Sequence, residues 1–257
     1  MENSRNGSPL FDGDFLFHSD FYSFRLYLVF LFLPIQFNTM VSYSFSIENP
    51  QQQYIRIKAT FKTDSEQTTL RIPSWRPGRY ELGNFAKNVK GLKVYDASNK
   101  RMEFTKSTKD SWQIDTSSTP SITVEYAYYA TDLNAGSTYL SKDMLYVNPV
   151  NCCMFTDDTA SHECNVHLEV PDGWKYAGSM TKNGKVLTAV NFDELADSPF
   201  ICSTGLQYNN YEAGGVLFHV WFQGECKPDW EKLIPDFKAF SQKQIEKFVE
   251  FPEKEYH

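Results

Sequence analysis

The feature that most limits how this chain can fold is a series of runs in which apolar and polar residues alternate. Ile55, Ile57, Ala59 and Phe61 are interleaved with Arg56, Lys58 and Thr60. The same pattern recurs at Ile122, Val124, Tyr126 and Tyr128, at Val166, Leu168 and Val170, and at Val216, Phe218, Val220 and Phe222. Successive side chains on a strand point to opposite faces, so each run carries one apolar face, as antiparallel strands over a core do. A further alternating run, residues 41–47, opens directly after Met40. Shorter strand candidates lie at 67–72, 92–96, 101–105, 111–115, 174–179, 186–191 and 200–203. Asn183-Gly184 falls between two such runs and fits a tight hairpin, because both residues tolerate positive φ. Residues 96–99 and 171–173 read as turns. Many short strands without intervening helices predict a mainly-β chain, an antiparallel β-sandwich.

Composition supports strands and a packed core. Aromatic residues make up 16% of the chain and hydrophobic residues 41%, against 22% charged. Aromatic side chains suit pleated, half-buried surfaces, and the balance is not that of a disordered chain. The net charge of −7 comes without a clustered basic face, which excludes a nucleic-acid partner. The five cysteines are odd in number and irregular in spacing. They read as free thiols in a reducing compartment, so a cytoplasmic location is expected.

Both ends differ from the middle. Residues 1–39 are rich in Phe, and the apolar stretch 26–35 is too short to cross a bilayer but has the length of a signal-peptide core. Glu2, Asp12, Asp14 and Asp20 precede it where a secretory segment should be positive. Met40 is therefore expected to be the natural start, with residues 1–39 a mis-translated upstream leader. The alternative is a weak signal or membrane anchor, with an exported or tethered product. At the other end, Asp229 is a candidate N-cap. Trp230, Leu233, Ile234, Phe237, Phe240, Ile245, Phe248 and Val249 follow it at helical spacing. Pro235 interrupts this amphipathic helix and Pro252 ends it. The expected division is a leader over 1–39, the sandwich over 40–226, and the start of a helical second domain over 227–257.

Local chemistry is sparse. His162 and His167 flank Glu163 and Cys164, but a zinc-peptidase helix needs its two histidines four apart on one face, and here the separation is odd and the segment alternates like a strand. Adjacent Cys152 and Cys153 lack the Cys-x-x-Cys spacing of a zinc site. Asp157-Asp158 and Asp193-Glu194 read as loop charges. Residues 73–88, which contain Trp75-Arg76-Pro77-Gly78-Arg79-Tyr80, place two guanidinium groups about a Pro-Gly turn. Planar, forked hydrogen bonding is what arginine offers there, either to a rigid interdomain loop or to a carboxylate at a cleft rim.

These strings carry a resemblance. Trp75-Arg76-Pro77-Gly78-Arg79-Tyr80, Asn84-Phe85-Ala86-Lys87-Asn88, Ala135-Gly136-Ser137-Thr138-Tyr139, Tyr146-Val147-Asn148-Pro149 and Asp193-Glu194-Leu195-Ala196-Asp197-Ser198-Pro199 together resemble the N-terminal domain of the glycyl aminopeptidase family of zinc metallopeptidases, in the same order and spacing. The resemblance spans about residues 40–257. It implies a β-sandwich followed by a thermolysin-like helical domain with a His-Glu-x-x-His zinc site, in an enzyme that releases N-terminal Gly or Ala from peptides. It further implies that Trp75, Arg76, Arg79, Tyr80, Asn84, Tyr139, Tyr146 and Asn148 brace that catalytic domain or shape the rim of its cleft. Because the His-Glu-x-x-His string does not occur in the sequence, these residues are expected to hold no zinc motif, no catalytic residue and no activity of their own. Zinc and the catalytic partner domain are expected beyond His257. The alternative is a stand-alone module that docks a peptide or glycan on Trp75, Trp112 or Trp221.

Overall fold

The computed structural model describes residues 40–79, 81–248 and 251–257. The expectations for residues 1–39, Tyr80 and Val249 lie outside the described residues.

The strand Val41–Ser46 alternates buried and half-buried positions, with Val41, Tyr43 and Phe45 inward. It pairs antiparallel with Tyr54–Lys62, which pairs along its whole length with Ser121–Tyr129. On its other side it pairs in parallel with Cys164–Glu169. Val89–Asp96 and Arg101–Met102 extend one flank of this sheet, and Val186–Ala189 with Thr181–Asn183 the other, giving eight strands. The hairpin between the last two turns at Gly184, whose φ of 61° is open to glycine without strain.

Two four-stranded sheets accompany it. One has the order Lys175–Gly178, Phe200–Ser203, Met144–Val147, Tyr139–Leu140; the other runs Phe155–Thr156, Gln67–Arg71, Ser111–Asp115, Phe104–Thr108. A single apolar cluster takes the inward residues of all three sheets, among them Phe61 and Val124, Leu70 and Ile114, Leu145 and Cys202. Phe45 meets Phe200 edge to face, ring centroids 6.0 Å apart.

Leu206–Ala213 pairs with Val216–Gln223, and the short strand Glu255–Tyr256 joins the latter in parallel. The helix Trp230–Phe248 runs through Pro235 and begins where Asp229 accepts the Lys232 N–H at 3.3 Å. The helix reaches this sheet through Tyr211 and Ser241, whose hydroxyls lie 2.8 Å apart. Ala213, Val216 and Phe218 form a second, small core with Tyr211, Ile245 and Phe251.

The molecule is thus mainly β with a long C-terminal helix, as expected, but it is built from several sheets and is not wholly antiparallel. Both parallel pairings join segments far apart in sequence, through long connections that leave no local period. A second correction concerns Asp193-Glu194, read as loop charges: they lie in a short helix, Phe192–Ala196. The Asn191 side chain accepts the Glu194 N–H at 2.8 Å, and the Glu194 carboxylate reaches back to the Val190 N–H. The first bond satisfies an N–H that the helix start leaves open, and the second ties the helix to the residue before its cap.

Candidate functional site

Two tyrosines fix one wall of the site from within the core. Tyr126 donates to the Cys152 carbonyl at 2.6 Å and accepts from the Met154 N–H at 3.2 Å, while Tyr43 donates to the Met154 carbonyl at 2.8 Å. The segment after the short helix Pro149–Cys152 is thereby tied to two central strands.

The residues just before and within this helix hold the loop 134–138. Asn148 Nδ2 donates to the Ser137 carbonyl at 2.5 Å, Asn151 Nδ2 to the Gly136 carbonyl at 3.0 Å, and the Tyr146 hydroxyl to the Ala135 carbonyl at 3.3 Å. Three successive carbonyls are taken by three side chains of one neighbouring segment. Asn148 occupies the N-cap position of the helix Pro149–Cys152 yet makes no side-chain cap bond, because its amide is used across the loop. Within the loop, Asn134 Oδ1 accepts the Gly136 N–H at 2.9 Å.

Arg76 packs onto this loop. A Cβ on Gly136 would stand 2.1 Å from Arg76 Nη2, so only glycine leaves room for the guanidinium. Arg79 turns elsewhere, to Glu81, with Nε 2.7 Å from Oε1. The turn between the two arginines closes when Trp75 Nε1 donates to the Arg79 carbonyl at 2.7 Å, and it passes through Gly78 at a φ of 79°. The result is an open groove of about 820 Å³ lined by Trp75, Arg76, Asn148, Phe192, Asp193 and Asp197, among others. Phe155 and Phe192 stack at 4.5 Å on its wall. The rim carries one guanidinium against the carboxylates of Asp193, Glu194 and Asp197. Arg76 Nε is buried there without a hydrogen-bond partner, as is Asn151 Oδ1 behind the 134–138 loop.

Three expected residues, Trp75, Arg76 and Asn148, therefore meet at one groove. Tyr139 and Tyr146 are a cross-strand pair beside it. Arg79 faces Glu81, and Asn84 accepts from Lys109 Nζ at 2.6 Å, so neither lines it. Tyr80 lies outside the described residues. Asp193 and Glu194, read as loop charges, line the groove with Asp197, and their signal was the string 193–199; Asn151, which supports the 134–138 loop, was not singled out. Of the three tryptophans considered as a stacking platform, Trp75 is 50% exposed, Trp112 is buried, and Trp221 is half-buried under Tyr208. They form no common surface patch.

Cysteine chemistry is absent from the groove. Burial pushes the Cys153 thiol well up and raises those of Cys164 and Cys202 to about 12. Such thiols are poor nucleophiles.

A second cluster lies on the small sheet. His219 and His257 directly follow the paired residues Phe218 and Tyr256, which sets both on the same face as Glu255. His219 Nε2 is 3.5 Å from Glu255 Oε2, and the two imidazoles stack at 4.2 Å. Potential ligand atoms of all three lie within 4.8 Å of one another. Burial, with His219 adding to it, holds the His257 imidazole below its ordinary range. Two imidazoles and a carboxylate are a donor set that suits zinc. This corrects two expectations, that these residues contain no zinc motif and that zinc ligands lie only beyond His257. Glu255 and His257 reach His219 through a parallel strand pairing across the long helix, which no local spacing announces.

The Peptidase M61 N-terminal domain family matches residues 42–204, which include both the groove and the core beneath it. The chain belongs to this family. A solved structure of an aminopeptidase N family protein from Idiomarina loihiensis is similar at a TM-score of 0.77 and 25% identity, over 84% of this chain and 38% of that one. An M1 zinc metallopeptidase from Deinococcus radiodurans aligns at a TM-score of 0.46 and 10% identity, over 85% of this chain and 55% of that one. No curated protein matches the chain. The M61 domain thus spans well under half of the first of these solved structures. Within the M61 match, the groove gathers the 73–79, 134–151 and 191–199 segments, whereas the His219 cluster lies outside the matched residues.

Proposed function

We propose that this M61 domain is the supporting front domain of a zinc aminopeptidase that releases N-terminal Gly or Ala from peptides. Its groove and its helix brace a catalytic domain and shape the rim of the peptide cleft. The observation that carries this reading is the helix stripe: Phe240 is 63% and Phe248 70% exposed, so an apolar helical face stands uncovered beside an M61 domain. Large exposed apolar patches are characteristic of interaction surfaces. Arg76 and the 193–197 carboxylates supply charges of both signs at the groove, which suits a peptide's two kinds of terminus and an interdomain contact alike.

The eight-stranded sheet and the two four-stranded sheets are read here as the two layers of a sandwich, a reading supported by their single shared core. Four buried, unpaired thiols support a cytoplasmic setting.

The test is an assay on native polypeptide captured with an antibody to residues 42–204. The expected result is hydrolysis of Gly- and Ala-anilides that a chelator stops and Zn²⁺ restores. Captured polypeptide that cleaves no N-terminal residue under these conditions contradicts the proposal.

A further inference from the structure

We infer that His219, Glu255 and His257 form a binding site for a borderline divalent transition cation, Zn²⁺ being the expected occupant, separate from any site within the M61 match. Among the described residues this is the one group of three or more metal-capable side chains gathered so closely. Four observations carry it.

The first is distance. Tetrahedral Zn²⁺ with bonds of about 2.0–2.1 Å sets its ligand atoms about 3.3 Å apart. His219 Nε2 and Glu255 Oε2 stand at 3.5 Å and need almost no movement. The second is an unmet need. The His219 side chain is 12% exposed, and its buried Nε2 makes no hydrogen bond, although the Glu255 carboxylate stands at ion-pair distance. A buried polar nitrogen without a hydrogen bond calls for a partner, and a cation supplies it.

The third is the support behind the ligand. His219 Nδ1 lies 2.8 Å from the Tyr208 hydroxyl, which also accepts from Asn210 Nδ2 at 3.0 Å. With Nδ1–H donating to the Tyr208 oxygen, the lone pair of Nε2 faces Glu255. This outer hydrogen bond to a ligating histidine is what orients and tunes metal sites. The fourth is access. Glu255 and His257 are exposed, and a pocket of about 860 Å³ lined by His219, His257, Asp236 and Phe237 opens onto the cluster.

The donor set sorts the cations. Imidazole nitrogen with one carboxylate suits Zn²⁺, Co²⁺, Ni²⁺ or Cu²⁺, whereas Mg²⁺ and Ca²⁺ require oxygen ligands. The two rings lie stacked with ligand atoms up to 4.8 Å apart, so capture turns His257 out of the stack until its nitrogen converges with the other two atoms. The bound cation then pins Glu255–Tyr256 to Val216–Gln223, a pairing of only two residue pairs in the free chain. It thereby fixes the direction in which the chain leaves the helix.

The experiment titrates purified chain of residues 1–257 with Zn²⁺ against a chromophoric chelator, and with Co²⁺ followed by visible absorption. The expected result is one cation per chain at micromolar or tighter affinity, with the intense absorption of low-coordinate Co²⁺. His257→Gln, at an exposed position that leaves the fold intact, should weaken binding at least about tenfold, and Tyr208→Phe about 10–100-fold. Circular dichroism of each variant verifies its fold. The inference is overturned by sub-stoichiometric binding, or by affinity unchanged in His257→Gln and in Glu255→Gln, which would place the cation elsewhere, for instance on Cys226.

Discussion

Asn148 shows how much a single side chain organises here. Its amide holds the 134–138 loop, and its backbone N–H finds the Thr138 hydroxyl at 3.2 Å. Asn148→Ala leaves the Ser137 carbonyl without this donor and should lower stability by about 1–3 kcal/mol in urea unfolding. Gly136→Ala acts differently. The atom its methyl would strike is the far end of a mobile arginine, so Arg76 swings aside while the loop stays. The expected outcome is a loss of stability under about 1 kcal/mol together with a crystallographically displaced guanidinium. Thiol chemistry gives a third prediction. Native protein at pH 8 should take up iodoacetamide at exposed Cys226 and be slow at the four buried cysteines, which mass spectrometry with and without denaturant reads directly. The raised thiols also set a pH dependence. Cys164 and Cys202 have folded values near 12 against an ordinary 9.0, so folding favours the protonated form. Their contribution is whole below pH 9 and is lost as pH climbs toward 12, so urea midpoints should fall across that window.

At the scale of elements, the alternating strands and the helix stripe call for opposite expectations. Phe61 is wholly buried on Tyr54–Lys62, and Phe61→Ala should cost about 3–5 kcal/mol through the cavity it leaves. Phe240 and Phe248 belong to an equally apolar pattern, yet Phe240→Ser should change the stability of the chain by no more than about 0.5 kcal/mol, because its ring touches little. Urea unfolding of the two variants side by side separates a core stripe from a docking stripe. Period two located Tyr54–Lys62, Ser121–Tyr129 and Cys164–Glu169, since each buries one face, and Val216–Gln223, which buries only Val216 and Phe218 of its apolar face. Leu206–Ala213 went unread because Asn210 breaks its apolar alternation in mid-strand. The helix Phe192–Ala196 went unread because it is a single capped turn whose stability comes from Asn191 and Glu194 rather than from periodicity. The groove was legible as strings of uncommon residues, although its geometry was not: Asn151 and Gly136 matter through contacts across loops. The His219 cluster was illegible, since it depends on a two-residue parallel pairing formed after the helix.

On the scale of the whole molecule, the proposed bracing role rests on the M61 match, the uncovered helix face and the groove. The main core is closed and shared among three sheets, while the second core is small and leaves Phe237, Phe240 and Phe248 at the surface. A face of this kind draws its stability from a neighbour, and a brace works by being held rigidly against the cleft it shapes. Hydrogen exchange of the native polypeptide against the isolated chain of residues 1–257 tests this most directly. The expected result is strong added protection of Trp230–Phe248 and of residues 73–79 and 191–199 in the native polypeptide. Identical exchange of these segments in both forms would contradict the account.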